Sequence, residues 1–118
     1  MRPWCVAAIL IIATTSAEAA SVAGGVGVRT CGQFAKDYQN NPANAEIIYN
    51  NWALGFMSGM NAAIQAADKP PRDLEAISFE EKKRCMRDYC DAHPLQVYLG
   101  GVIEMMGSLP LIPGGQTK

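Results

Sequence analysis

Cysteine spacing constrains this chain more than any other feature. Cys31 stands alone, whereas Cys85 and Cys90 lie five residues apart on one helical segment. Five residues carry a helix about 140° past a full turn, so these two point in different directions and cannot readily bridge each other. In an oxidising compartment Cys31 therefore pairs with one of them, and the residues alone leave open which. Closing so long a loop stabilises a fold by roughly 4 kcal/mol in the chain-entropy model. That is a large share of what holds one small domain together. The cysteine left over, Cys85 or Cys90, is then expected to be a buried free thiol or a site for an intermolecular bridge.

The N-terminus supplies the reason to expect oxidation. Arg2 precedes the apolar run Val6 to Ala13, which is too short to span a bilayer, and Ala17-Glu18-Ala19 has the small-residue pattern of a cleavage site. Residues 1–19 thus read as a secretory signal peptide, and Cys5 leaves with it. The remaining chain of roughly 100 residues suits one domain. Residues 20–29, rich in glycine, are expected to be flexible, residues 30–110 to form the helical domain, and residues 111–118 to be a disordered tail.

Four helices are legible. Thr30 with Gln33 fits a capping box and starts the first at Cys31. Pro42 suits the first residue of the second, which runs to about Ala67. On it, Ile48, Trp52, Gly55, Phe56, Gly59, Met60 and Ala63 recur at steps of three and four, an apolar stripe expected to face a core. Gly55 and Gly59 sit one turn apart, which suggests close approach of another helix. Asn50, Asn51, Asn61 and Gln65 argue against a membrane span. After the turn-rich Asp68 to Asp73, Ser78 with Glu81 forms a second capping box and opens a helix to about Cys90. Its charged residues, Lys82, Lys83 and Arg87 among them, read as a solvated face, with Met86, Tyr89 and Cys90 turned inward. His93-Pro94 interrupts it, and a fourth helix follows with Leu95, Leu99, Val102 and Met106 in line. The expected class is all-α: a small single-domain bundle of about four helices stapled by one disulfide.

Chemistry is sparse. His93 is the one histidine, and no Gly-x-Ser-x-Gly elbow or phosphate-binding glycine loop accompanies it. Cys85, Cys90 and His93 lack the Cys-x-x-Cys pair usual in a zinc site. Non-enzymatic function, with no metal and no cofactor, is expected. Removing Arg2 and Glu18 leaves the net charge at -1, which argues against nucleic acid or an anionic membrane as partner. Other proteins remain. Met57, Met60, Met105 and Met106 read first as core filler and second as an adaptable partner surface.

Three motifs together carry a resemblance: Thr30-Cys31 with Phe34, the turn Trp52 to Phe56, and Cys90-Asp91-Ala92-His93-Pro94 leading to the last helix. Over Thr30 to Met106 the chain resembles the HdeA/HdeB family of small periplasmic helical proteins. The resemblance implies a Cys31–Cys90 disulfide, a periplasmic location, a homodimer near neutral pH, and acid-stress chaperone (holdase) activity that exposes apolar helix faces to unfolded clients. Those faces would come from Trp52, Phe56, Met57, Met60, Leu99, Met105 and Met106. Cys85, the long stretch from Asn61 to Phe79 and the glycine pair depart from that pattern. A second likeness is to Tai-type immunity proteins of type VI secretion. It rests on Gly55-Phe56-Met57-Ser58-Gly59 and on the passage from Tyr89 to Leu109-Pro110. It implies binding to one cell-wall amidase effector, although Trp52 stands where that pattern has a cysteine.

Overall fold

The computed structural model describes residues 22–115. The expected signal peptide and residues 116–118 lie outside the described residues. Within them the chain forms α1 (Cys31–Asn40), α2 (Pro42–Ala66), α3 (Phe79–Ala92) and α4 (Tyr98–Ser108), with short 3-10 turns at Val26–Val28 and Pro113–Gly115. No strand occurs among the described residues. Two isolated bridges, Thr30 with Val97 and Arg72 with Leu111, join distant segments.

The first three helices begin where a side chain can absorb free backbone donors, whereas α4 starts after Val97 with no side-chain cap. Thr30 Oγ1 accepts from the Gln33 amide, and Gln33 Oε1 accepts from the Thr30 amide at 2.9 Å. Ser78 and Glu81 repeat the reciprocal pair at α3. Asn41 caps α2 through the Asn44 amide, with Pro42 as its first residue. α2 ends in a Schellman motif: the amides of Asp68 and Lys69 reach back to the carbonyls of Gln65 and Ile64. Asp68 takes the left-handed conformation there, with φ of 56°.

The disulfide joins Cys31 to Cys90, with Cα atoms 4.8 Å apart. Cys85 is free and exposed, not buried as expected. With Cys90 turned into the core, a residue about 140° around the same helix faces outward. Beside the disulfide lies an aromatic trio drawn from three helices. Phe34 and Tyr49 pack edge-on at 4.8 Å, Tyr49 and Tyr98 at 4.9 Å, and Phe34 meets Tyr98 at 5.3 Å. Edge-to-face pairs of this kind contribute about 0.5–1.5 kcal/mol beyond their area. Ala53, Met57, Met86 and Val102 complete the core.

Three expectations fail on packing. α2 buries Ala45, Tyr49, Asn50, Ala53 and Met57, a face rotated by about one residue from the predicted stripe. Ile48, Gly55, Gly59, Met60 and Ala63 are exposed, and a Cβ added at Gly55 or Gly59 would meet nothing within 4 Å. No helix among the described residues approaches the glycine pair. α4 starts at Tyr98, so Leu95 lies in the preceding turn and is 90% exposed. Third, the flanks are held. Trp52 Nε1 donates to the Gly24 carbonyl at 2.9 Å, and its ring covers Gly27, where a Cβ would fall 2.0 Å from the ring. The glycines of the lead-in admit this ring; they do not simply loosen the chain. At the other end, Ile112 donates to the Pro71 carbonyl, and Asp73 to that of Pro110.

These contrasts predict opposite outcomes for alanine. Gly27→Ala should destabilise by about 1–3 kcal/mol, because the Trp52 ring must move. Gly55→Ala and Gly59→Ala should each stabilise by about 0.5–1 kcal/mol, because both sit in open helix interior. Urea unfolding midpoints read both; destabilisation at Gly55 would mean that its surroundings are closed.

Candidate functional site

The seven residues proposed as a partner surface do not lie on one face of the folded protein. Met57, Met105 and Met106 are in the core. Leu99 is half-buried on α4. Trp52, Phe56 and Met60 do line up on the outer face of α2, where the Trp52 and Phe56 rings stack at 5.6 Å with planes 10° apart. With exposed Ile48, Gly55 and Gly59 they make an apolar strip that the glycine-rich lead-in covers at Trp52 and that is open from Gly55 to Met60. A strip of this kind is where a protein partner can bury area without the fold having to change.

A second recess lies between α3 and α4, a groove of about 340 Å³ bordered by Cys85, Asp88, His93, Glu104 and Met105. Cys85 and His93 both border it, but His93 lies eight positions after Cys85, roughly 12 Å along the helix axis. That is beyond the reach of a thiolate–imidazole pair. The His93 ring stacks on Tyr89 at 4.5 Å, and Nδ1 lies 2.9 Å from the Tyr89 carbonyl. This geometry explains His93 as the cap of α3. Among the described residues no three His, Cys, Asp or Glu side chains could hold a metal ion, and no helix is long and apolar enough to cross a membrane.

The feature that sequence reasoning missed is ionic. Glu46 on α2 faces two cations of α3, Lys83 at 2.9 Å and Arg87, with Glu46 and Lys83 side chains only 13% and 14% exposed. Lys83 also pairs with Glu80 at 3.0 Å and lies 5.0 Å from the Phe79 ring centre. Arg87 lies over the Tyr38 ring. Lys82 is buried. Much of the expected solvated face of α3 is thus the seam between α2 and α3. The signal was there in Glu46, an isolated carboxylate in an otherwise neutral first half of a long helix, but only the fold supplies its partners. Across the core, Tyr49 donates to Asp37 Oδ2 at 2.7 Å, and Arg29 stands 3.5 Å from the same oxygen.

Titration follows from these contacts. The Ser78 amide, then its hydroxyl, holds the Glu81 carboxyl below the usual range. A depressed carboxyl adds stability above its unfolded value of about 4.3 and loses it as pH falls through the folded value. Hydrogen bonds to Glu46, then to Glu80, raise Lys83. Burial raises Tyr49 and Tyr98, helped at Tyr49 by its bond to Asp37 and at Tyr98 by the nearby Tyr49 and Glu46. Groups raised in this way add stability that is full below their unfolded values, about 10, and is lost as pH climbs through the folded ones.

Stability should therefore fall at both ends of the pH scale. Glu81→Gln keeps an amide that can cap, as Gln33 does in α1, and removes the titration. Its stability should decline less steeply than the parent's below about pH 5, as read by urea midpoints at successive pH values. Parallel acid limbs would show that the cap contributes nothing to acid sensitivity.

No protein-family model matches the chain, and neither a curated protein nor a solved structure matches it.

Proposed function

We propose that the protein is a non-enzymatic binder of other proteins in the periplasm, acting as an acid-activated holdase of the HdeA/HdeB type. The observation that carries this reading is the Glu46 seam. One carboxylate bridges two α3 cations at the edge of the core. Acid that protonates carboxylates leaves Lys83 and Arg87 facing each other without a counter-charge, while the Ser78–Glu81 cap weakens at the head of the same helix. The disulfide ties the other end of α3 to α1, so an opened chain would stay compact. Parting α3 from α2 would uncover Met57 and Met86, flexible side chains that adapt to varied apolar surfaces.

A second reading, an immunity protein bound to one cell-wall amidase, is favoured by a different observation. The strip Ile48, Trp52, Phe56 and Met60 is exposed or half-exposed without any opening. A ready-made face suits one tight partner at neutral pH better than a switch does.

pH separates the two. Aggregation of a model client should be suppressed by the protein near pH 2–3 and not near pH 7. Glu46→Gln should bring the onset of protection closer to neutral, because it imitates the protonated carboxyl. An absence of protection at every pH sinks the holdase. In that case Gly55→Arg should weaken binding to an exported amidase at least a hundredfold, about 3 kcal/mol, if the α2 strip is the interface.

A further inference from the structure

One polar side chain in the core has no counterpart. Asn50 is 2% exposed, and neither Oδ1 nor Nδ2 reaches a hydrogen-bond partner among the described residues. Buried amides are nearly always paired, with protein or with ordered water. Asn50 borders a cavity of about 10 Å³ whose other walls include Phe34, Glu46, Lys83, Met86 and Tyr98.

We infer that Asn50 anchors one internal water in this cavity, next to the Glu46–Lys83 ion pair. Size fixes the ligand, since a volume of roughly 10–15 Å³ holds one water and nothing larger. The amide offers both a donor and an acceptor, which a neutral molecule that also does both can satisfy. Such a water needs two to four polar neighbours. The Asn50 amide supplies the first, and the Tyr98 hydroxyl and the Glu46 carboxylate are the groups on the wall able to complete the set. α1 contributes only the Phe34 ring and α3 only Met86 beside Lys83, so the wet contact lies along α2 and its junction with α4. This site does not depend on the proposed function. It makes the α2 side of the core the part whose polar groups are completed from solvent, not from protein.

A high-resolution crystal structure of the protein at neutral pH tests this directly. The expected result is an ordered water within about 3.2 Å of Asn50 Oδ1 or Nδ2. In solution, the Asn50 side-chain amide protons should show cross-relaxation with a long-lived water, and in Asn50→Leu no neighbouring proton should show it. That variant, near in volume and dry, should keep the fold and unfold at a temperature no lower than the parent. A dry cavity, an Asn50 amide turned onto a protein partner, or cross-relaxation absent from the parent would each overturn the inference. The crystal test stands even if Asn50→Leu does not fold.

Discussion

One disulfide and two backbone hydrogen bonds join the start of α1 to the end of α3, and the remaining architecture is arranged around that joint. Cys31 is bonded to Cys90 through sulfur. The amides of Cys31 and Gly32, unpaired donors of a helix start, are taken by the carbonyls of Gln96 and Pro94 in the link after α3. Tyr98 then donates to Arg29, which fixes where α4 begins. With both ends of that link pinned, Phe34, Tyr49 and Tyr98 have little choice but to meet, because each follows a fixed end by a turn or lies on the helix laid between them. The covalent bond restricts the unfolded chain, and the hydrogen bonds and rings use that restriction.

The opposite edge is built differently. Where α2 meets α3, Glu46, Lys83 and Arg87 hold the helices together by charge, and Asn50 brings an amide into the core behind them. Ion pairs and polar groups in such places are weak sources of stability compared with apolar packing, but removing one partner is costly. The molecule thus has one edge joined by a covalent bond and main-chain hydrogen bonds and one held in part by side-chain charge. This asymmetry supports the holdase reading. The apolar strip of α2 lies on neither edge, which is why it fits a partner that binds without any rearrangement.

Local signals in the sequence were reliable because they act locally. Thr30 with Gln33, Ser78 with Glu81, and Pro42 each solve a problem within one turn, and all three helix starts fall where those residues put them. The core face of α2 was not legible, because the helix is apolar on two adjacent faces. Trp52, Phe56 and Met60 compete with Ala45, Tyr49, Ala53 and Met57, and periodicity weighs the larger side chains more heavily than the alanines that allow close packing. Polar side chains acting over long sequence distances were equally hidden. Asn61 holds both the amide and the carbonyl of Arg72, whose guanidinium donates to the Leu109 carbonyl, so residues expected to end the fold are bound into it. Of the candidate partner surface, Met60 is exposed and Trp52 and Phe56 are half-buried, whereas Met57 and the paired methionines of α4 lie in the core. Helical spacing alone does not say which of two apolar faces looks inward.

Hydrogen exchange followed by mass spectrometry across the acid range tests the central asymmetry most directly. The account predicts that amides of α2 near Glu46 and of α3 near Lys83 lose protection at a higher pH than those of α1 and the end of α3 around the disulfide. Simultaneous loss throughout the chain, or earlier loss at the disulfide edge, would contradict it.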